Sequence, residues 1–405
     1  MNNDESSFPK KGNHFHRYLQ YASAVLNNYN GKEPFHLYLK KYFSANKKHG
    51  SRDRKFITAL CYYYFRLGFG VKSTISIEEK LILAIFLIEK EPSATLESFK
   101  PEWNQRIHLS IDQKLEIIQD VFNAEKIFPF RHELSDQITF RKFSLSFLIQ
   151  PKLFIRIRPG YQTSVFDKLK SANNSFERKS ETCLTFTNNE KLDDILKIDK
   201  EAVIQDYNSQ KTVSLLALSF QPSALSISIW DCCAASGGKS ILAYDLLKNI
   251  ELTASDSRKN VLENLKKRFE KAGIKKYHSF VADLSTSRPV KDIEGNLFDV
   301  IIADVPCSGS GTWSRTPEQI HFFKKESISA YSSLQRKIVT NVAKSLTENG
   351  QLLYITCSVF KEENEENVNY IQKELNLQLT QSKYLNGYEM QADTLFVALF
   401  TTSKK

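Results

Sequence analysis

The sequence lacks any long uncharged apolar run, and no stretch approaches the roughly 18 residues that a membrane-spanning helix needs. Its first residues, MNNDESSFPKKGNHFHR, also lack the apolar segment of a signal peptide. We therefore expect a cytoplasmic protein with no membrane partner. The sequence has no repeat period and no low-complexity linker, and 405 residues with 41% apolar content indicate two or three domains.

Cysteine is scarce, with six in the chain. In a long sequence without a secretion signal, these cysteines are expected to be reduced thiols rather than a disulfide framework. No C-x-x-C pair has a second pair of ligands downstream, so we expect no structural metal site. The six residues are Cys61, Cys183, Cys232, Cys233, Cys307 and Cys357.

Acidic residues are outnumbered by basic ones. The formal net charge is +10, and the first sixty residues contain eleven Lys or Arg against four acids. Excess positive charge attracts a polyanion, which indicates nucleic acid as the partner. A role in solubility alone is the alternative explanation.

Helical periodicity from about residue 15 to 130 predicts an all-helical domain over residues 1–140. In SRDRKFITALCYYYFR, Ser51 or Asp53 is expected near a helix start, and three cations follow in the first turns. Cations at this end oppose the helix dipole, which favours an external anion as their partner unless they are simply solvated. The three cations are Arg52, Arg54 and Lys55.

Residues 141–222 read as short strands and turns. In PKLFIRIRPGYQT, the apolar residues alternate with Arg156 and Arg158 before the chain turns at Pro159-Gly160. This pattern predicts a small α+β module with one basic face.

From residue 223 to 405 the sequence alternates strands with helices. Strands are predicted at ALSISIW, IELTAS, HSFVA, FDVIIA, GQLLYIT and TLFVALF, with helices such as GGKSILAYDLLKN and SDSRKNVLENLKKRFEKAG between them. Such alternation predicts a mostly parallel, doubly wound α/β sheet, whose ligands bind outside the carboxyl ends of its strands.

The first of these strands ends in DCCAASGGKS. Small residues let the backbone approach a ligand, and Gly237-Gly238 leads into a helix whose first amides suit electron-rich ligand atoms. The segment is neither G-x-G-x-x-G nor a P-loop, and taken alone it could equally be a structural turn.

Three further strands end near an aspartate: Asp256, Asp283 and Asp304. Asp256 follows Asp231 by about 25 residues, close to the spacing at which a carboxylate meets the ribose hydroxyls in a nucleoside-binding α/β fold. Each aspartate by itself could cap a helix or a turn. Together, and beside the small-residue loop, they predict a site for a nucleoside cofactor.

The segments DVPCSGSG and YITCSVF each place one cysteine, Cys307 or Cys357, after a predicted strand. A thiolate that adds to carbon six of cytosine makes carbon five nucleophilic toward a sulfonium methyl group. A carboxyl group near ring nitrogen three, such as that of Asp304, would stabilise the adduct, and a second group must help to remove the carbon-five proton. Position alone leaves open which cysteine attacks, and either could instead be a core residue.

The chain resembles the RsmB/Sun family of RNA cytosine-5 methyltransferases. The resemblance is carried by DCCAASGGKS, ADVPCSGSGTW and YITCSVFKEENEENV, and by VIQDYNSQKTVSLLAL before the last domain. SRDRKFITALCYYYFR resembles the NusB-like helical domain of the ribosomal RNA branch, which is a weaker match. The resemblance implies a Rossmann-like methyltransferase domain preceded by a NusB-like domain and the small α+β module.

The resemblance also implies S-adenosylmethionine as the cofactor and a role for each site residue. Cys357 would be the nucleophile, Cys307 would assist proton removal and product release, and Asp304 would lie where cofactor and cytosine meet. The ribose would bind Asp256 and the adenine side Asp283, with the methionine moiety near the small-residue loop. The implied cofactor-binding residues are Cys233, Ala234, Ala235, Ser236, Gly237, Gly238, Lys239, Asp256, Asp283 and Asp304.

Two positions depart from the family pattern. Ser236 stands where the family usually has proline, a change expected to loosen the loop, and Val261 stands where it often has arginine. Arg258 or Lys259 could replace that arginine, and the sequence does not decide between them.

The resulting expectation is a monomeric enzyme that methylates carbon five of a cytosine in RNA, with 16S ribosomal RNA as the leading substrate. The target base would leave its stack at a cost of a few kcal/mol while the N-terminal domains hold the surrounding RNA. The alternatives are a transfer RNA or DNA cytosine as substrate, or an RNA-binding ribosome assembly factor without catalysis. The intact Cys357, Cys307 and Asp304 argue against the last.

Overall fold

The structure is a computed structural model that describes residues 12–188, 190–217, 226–247, 249–286 and 290–402. The described residues form two compact units. The first contains residues 12–131, 140–150 and 313–323, and the second contains 132–139, 151–312 and 324–402 within the described ranges. The predicted domain boundary at residue 222 lies outside the described residues. No helix in the described ranges combines the length and apolarity that crossing a membrane requires.

The first unit is helical, as predicted for the N-terminal region. Two of its helices begin with a capping box, in which Ser76 pairs with Glu79 and Ser110 with Gln113, so the first free amides of each helix find acceptors. Its helices up to residue 150 are α1 (Gly12–Asn28), α2 (Phe35–Ala45), α3 (Ser51–Arg66), α4 (Ile77–Ile88), α5 (Ala94–Phe99), α6 (Pro101–Asn104), α7 (Ile111–Ile117) and α8 (Phe140–Ser146).

Helix α3 begins where the sequence predicts a helix start. The carboxylate of Asp53 accepts the amide N–H of Gly50 at 2.9 Å, which satisfies a donor that the helix leaves unpaired. The three cations of its first turns, Arg52, Arg54 and Lys55, are exposed to solvent. They are therefore positioned to meet an external anion.

Arg66, the last residue of α3, lies inside the helical unit rather than on its surface. Its guanidinium donates to the carbonyl oxygens of Phe147 and Ser314 at 3.0 and 2.9 Å, and burial lowers its pKa to about 10. Trp313 is also buried and packs against the ring of Phe128. Residues 313–323, which follow the Cys307 motif in the sequence, thus belong to the core of the helical unit.

The second unit begins with the small α+β module. Its strands form an antiparallel four-stranded sheet in the order β2-β3-β1-β4. The elements are β1 (Leu153–Ile157), α9 (Gln162–Ser171), β2 (Glu177–Arg178), β3 (Cys183–Phe186), β4 (Ala202–Ile204) and α10 (Ser214–Ala217).

The rest of the second unit has the predicted alternation of strands and helices. Helix α13 falls within this stretch of the sequence but belongs to the helical unit. All six predicted strands are present, together with β10, which was not predicted. The elements are β5 (Ile227–Asp231), α11 (Gly238–Leu247), β6 (Ile250–Asp256), α12 (Lys259–Ala272), β7 (Tyr277–Val281), β8 (Phe298–Asp304), α13 (Gln319–Phe322), α14 (Glu326–Ala343), β9 (Leu346–Thr356), α15 (Glu365–Glu374), β10 (Leu377–Leu385) and β11 (Leu395–Thr402).

These strands form a seven-stranded sheet in the order β10-β11-β9-β8-β5-β6-β7. The five strands from β9 to β7 pair in parallel, whereas β11 pairs antiparallel with both β9 and β10. The strand order reverses between β5 and β8, and a ligand crevice is expected outside the carboxyl ends of the strands at this point. The predicted α/β, Rossmann-like fold class is confirmed.

The prediction that Arg156 and Arg158 form a basic face of the small module is wrong, because both side chains are buried. The Asp245 carboxylate of α11 accepts from Arg156 Nη1 at 2.6 Å and from Arg158 Nη2 at 2.7 Å, and these three side chains are 4 to 8% exposed. Arg158 also donates to the Ala272 carbonyl oxygen at the end of α12. The two arginines therefore join the module to the helices of the large sheet.

Replacing Asp245 by asparagine is expected to destabilise the protein by about 3 kcal/mol, because it leaves two buried guanidinium groups without their counter-charge. Chemical denaturation measures this loss. The matched control is Glu263→Gln on α12, where the carboxylate and Lys266 form an exposed ion pair that should contribute little. Equal stability of the two variants would contradict a structural role for the buried cluster.

Candidate active site

The carboxyl ends of the parallel strands bring most of the predicted site residues to one edge of the sheet. Asp231 ends β5, Asp256 ends β6 and Asp304 ends β8. Cys357 follows β9 directly, and Asp283 lies two residues after β7. This edge contains the crevice that the reversal of strand order predicts.

The small-residue loop between β5 and α11 is tightly turned. Gly237 N–H donates to the Ala234 carbonyl oxygen at 2.8 Å, and Ala235 and Gly237 have positive φ angles of 47° and 82°. A Cβ atom at Gly237 would also lie 2.7 Å from the ring of Phe269. Only glycine therefore fits this position, and Gly238 then begins α11.

Ser236, which stands in place of the family proline, is held by an arginine. Arg268 Nη1 donates to the Ser236 carbonyl oxygen at 3.0 Å and to its hydroxyl oxygen at 2.9 Å. The same guanidinium pairs with Asp199 at 2.8 Å, and the Asp199 side chain is buried. The loop is thus anchored from outside at the position where the sequence predicted that it would loosen.

Asp256 is already bonded to its neighbours. Its carboxylate accepts from the amide N–H of Ala235 at 3.0 Å and from Arg258 Nε at 2.9 Å. Burial acts to raise the pKa of this carboxyl, but these hydrogen bonds outweigh it and hold the pKa below its usual value. The Arg258 side chain is 61% exposed. Of the two candidates to replace the family arginine, the structure therefore places Arg258 on the carboxylate.

Asp283 is exposed, and it is hydrogen-bonded to a residue close by in the sequence. Its carboxylate accepts from the Ser285 amide at 3.0 Å and from the Ser285 hydroxyl at 2.6 Å. These hydrogen bonds lower the pKa of Asp283, so it is ionised at neutral pH.

Asp304 and Lys239 form an ion pair at the reversal point of the sheet. Lys239 Nζ lies 2.6 Å from Asp304 Oδ2, with the two side chains 13 and 28% exposed. Burial acts to lower the pKa of Lys239, but the Asp304 carboxylate outweighs it and raises that pKa. Lys239 therefore stays positively charged across the neutral range.

Cys307 and Cys357 lie side by side, since they follow the adjacent parallel strands β8 and β9. Their sulfur atoms are 3.2 Å apart, and the Cys357 amide N–H donates to Cys307 Sγ at 3.3 Å. Both are free thiols that are partly exposed, unlike the buried Cys61, Cys183 and Cys232. Hydrogen bonding with Cys357, together with burial and the nearby Glu363 charge, raises the pKa of Cys307. The core-residue alternative thus fits the three buried cysteines but not this pair.

A cavity of about 540 Å³ lies at the same edge of the sheet. Its volume falls in the range of sites for nucleoside-sized ligands. Cys357 lies next to this cavity through its contact with Cys307. The lining residues are Cys232, Cys233, Ala235, Asp256, Ser257, Arg258, Ala282, Asp283, Leu284, Ser285, Asp304, Pro306, Cys307, Tyr331, Leu334 and Ile338.

Several residues of the site were not predicted from the sequence. Tyr331 of α14 lines the cavity, and Glu363 and Gln335 form a hydrogen-bonded pair at 2.8 Å beside the cysteine loops. Among the described residues, no group of three or more His, Cys, Asp or Glu side chains could hold a metal ion.

Residues 217–400 match the family described as 16S rRNA methyltransferase RsmB/F. This part of the chain is similar to the RsmB/F family. Ribosomal RNA small subunit methyltransferase B of Shewanella oneidensis is 33% identical over 175 residues, which is 43% of this chain and 39% of that protein. The probable ribosomal RNA small subunit methyltransferase B of Bacillus subtilis is 30% identical over 167 residues, 41% of this chain and 36% of that protein. These matches thus span about two fifths of each relative.

Solved structures extend the similarity of fold beyond the RsmB/F region. The crystal structure of PH0851 covers 98% of this chain and 100% of its own, with a TM-score of 0.66 and 19% identity. The structure of NSun6 from Pyrococcus horikoshii with SFG covers 63% of this chain and 92% of its own, with a TM-score of 0.52 and 17% identity. At these identities, the two structures establish the fold alone.

Proposed function

We propose that this protein is an S-adenosylmethionine-dependent methyltransferase that modifies carbon five of a cytosine in RNA, with small-subunit ribosomal RNA as the substrate. The observation that carries the proposal is the pair of thiols, 3.2 Å apart, beside Asp304 and the cavity. One thiol can form the covalent bond to the base while the other handles its proton. The RsmB/F match and the names of the relatives support the same activity.

The residues at the strand ends fit the proposed cofactor. The absence of a side chain at Gly237 keeps the loop tight against Phe269, and α11 begins at the next residue, Gly238, with free amides of the kind that bind electron-rich ligand atoms. Asp256 offers a carboxylate for ribose hydroxyls once the exposed Arg258 side chain turns away, and Asp283 lines the cavity for the adenine side. When bound, S-adenosylmethionine supplies a methyl group on a positively charged sulfur.

The chemistry of the chain's own residues begins at Cys357. Its thiolate forms a bond from Sγ to carbon six of the cytosine, and the electron pair of the ring double bond moves toward carbon five. Ring nitrogen three takes up a proton from solvent as this charge arrives, and the Asp304 carboxylate accepts the hydrogen bond from the new N–H. Carbon five thereby gains the electron density with which it takes up a methyl group.

Product release then depends on Cys307. After the methyl group has been taken up, Cys307 releases its own proton to solvent, and the resulting thiolate takes the proton from carbon five. The electron pair of that carbon–hydrogen bond restores the ring double bond as the bond between Cys357 and carbon six breaks. The proton thereby re-forms the Cys307 thiol, which lies in contact with the attacking sulfur. Cys357 leaves as a thiolate, ready for another cycle.

The helical unit is proposed to hold the RNA around the target base. Arg52, Arg54 and Lys55 are exposed at the start of α3, where phosphate groups could bind them. Arg156 and Arg158 take no part in this surface, since both are buried. Monomeric action in the cytoplasm stays a prediction from the sequence.

Mapping of 5-methylcytosine in total RNA, with and without the gene, tests the proposed function. We expect one or a few cytosines of small-subunit ribosomal RNA to lose their methyl group in the deletion strain, and purified protein to restore it on RNA from that strain. Loss of the methyl group at a cytosine of transfer RNA or DNA would instead identify that nucleic acid as the substrate. RNA binding without methyl transfer to any cytosine would instead favour an assembly factor.

A further inference from the structure

Glu363 is a buried carboxylate that lies between the two cysteine loops. Its side chain has no solvent exposure. It lies in the turn between β9 and α15, outside the residues to which the site prediction assigned a role. A buried carboxylate is costly unless its oxygens accept hydrogen bonds, so its partners indicate what the group does.

Each carboxylate oxygen of Glu363 contacts a different cysteine loop. Oε2 accepts the amide N–H of Ser308, the residue after Cys307, at 2.9 Å. Oε1 accepts the hydroxyl of Ser358, the residue after Cys357, at 2.6 Å. One carboxylate therefore joins the segments that carry the two thiols.

Gln335 of α14 completes this arrangement. Its side-chain amide donates to Glu363 Oε2 at 2.8 Å and to the Pro306 carbonyl oxygen at 3.0 Å. The Glu363 carboxyl thus accepts from two N–H groups and one hydroxyl, and donors of this kind favour its ionised form. Burial has the opposite effect and raises its pKa.

The charges around the two thiols differ in sign. The negative charge of Glu363 acts on Cys307 and raises the pKa of that thiol, together with its hydrogen bond to Cys357 and burial. The positive charge of Lys239 interacts with Cys357 instead. A negative neighbour favours a neutral thiol, and a positive neighbour favours a thiolate.

The other titratable groups near the thiols are two tyrosines and two aspartates. Burial raises the pKa of the hydroxyls of Tyr331 on α14 and Tyr354 on β9, so both are neutral near pH 7. Asp231 is buried, which raises its pKa to about 7, and it acts on Lys239. Asp304 is the ion-pair partner of Lys239.

We propose that Glu363 is a positioning residue that keeps the proton on Cys307 while Cys357 attacks as the thiolate, before Cys307 serves in product release; the inference rests on the proposed function. Through Ser308 and Ser358 it also holds the two loops at the separation that brings the sulfur atoms into contact. The division of labour between two thiols in similar positions thus comes from a third residue that touches neither substrate nor cofactor.

Alkylation of the protein by iodoacetamide, with each cysteine followed by mass spectrometry, tests this inference without RNA or cofactor. In the unmodified protein near neutral pH, Cys357 is expected to react at least about tenfold faster than Cys307. Glu363→Gln should lower this ratio at least about threefold, because the neutral amide no longer disfavours a thiolate at Cys307. An unchanged ratio would overturn the proposal.

Glu363→Gln is expected to fold, because its amide oxygen can still accept from Ser308 and Gln335 while its NH₂ donates to the Ser358 hydroxyl oxygen. Glu366→Gln is the matched control, since Glu366 is an exposed acid on α15. It should leave the ratio of alkylation rates unchanged.

The pH dependence of alkylation in the unmodified protein provides a second measurement that needs no variant. Cys307 should react slowly near neutral pH and faster as the pH rises, because its pKa is raised, whereas rapid alkylation of Cys307 near neutral pH would overturn the inference. Alkylation is measured without methyl transfer, so the two proposals can fail separately. The expected alkylation pattern in a protein without methyltransferase activity would refute the proposed function alone. An active enzyme whose ratio of alkylation rates is unaltered in Glu363→Gln would refute this inference alone.

Discussion

Cys357→Ala is expected to lower the rate of methyl transfer by at least about 10⁴-fold, because it removes the atom that bonds to carbon six. Without that bond, carbon five of cytosine is too weak a nucleophile to accept a methyl group. The remaining residues would still bind RNA and cofactor. Single-turnover transfer of a labelled methyl group to ribosomal RNA measures the effect, with RNA affinity recorded in parallel.

Cys183→Ala is the control for this substitution. Cys183 is a buried thiol of the small module, and burial raises its pKa to about 11, which keeps it unreactive near neutral pH. Its removal should leave the transfer rate within about twofold, as expected for a thiol outside the reaction. A Cys357→Ala protein that retained a tenth or more of the activity would refute Cys357 as nucleophile.

Asp304→Asn is expected to lower the transfer rate by about 10³-fold, because a neutral amide holds the protonated ring nitrogen three less strongly than a carboxylate does. The substitution also removes the partner of Lys239 in the 2.6 Å ion pair. Because that lysine interacts with Cys357 as well, the pH profile of the transfer rate should shift together with the fall in rate. Steady-state kinetics over a range of pH measures both effects.

The control for Asp304→Asn is Asp292→Asn, which removes an exposed carboxylate of the same unit. It should change neither the rate nor the pH profile. If Asp304→Asn raised only the KM for RNA and left kcat intact, Asp304 would be a binding residue, and its proposed role in stabilising the adduct would be wrong.

The large sheet could be predicted from the sequence because its central strands are buried on both faces and read as apolar runs. The strand β10 was missed because it lies at the edge of the sheet, where exposed polar residues such as Gln378 and Gln381 interrupt its apolar pattern. Edge strands of this kind carry a weak periodic signal.

The buried arginines of the small module could not be predicted. The alternation around Arg156 and Arg158 is typical of a half-exposed strand, and their partner Asp245 is nearly ninety residues away in the chain. Only the tertiary structure brings these charges together. The same limit applies to residues 313–323, whose place in the core of the helical unit depends on contacts with distant residues such as Arg66.

The predicted strand ends located the residues of the candidate site correctly, but they did not predict which side chains contact each other. The positions of Cys307 and Cys357 after two predicted strands indicated a shared edge, whereas their direct contact depends on β8 and β9 being neighbours. Glu363 was missed because the acidic segment KEENEENV offers several carboxylates, and nothing in the sequence separates the fully buried one from its more accessible neighbours. Burial and hydrogen bonding, which distinguish Glu363, are properties of the fold.

The most direct test of the account is a denaturing gel that detects covalent adducts between the protein and cytosine RNA in the presence of S-adenosylmethionine. Cys307→Ala should accumulate a denaturant-stable adduct, because Cys357 can still attack while the proton that blocks release stays on carbon five. Cys357→Ala should form none. An adduct with Cys357→Ala and none with Cys307→Ala would reverse the roles of the two thiols and contradict the account.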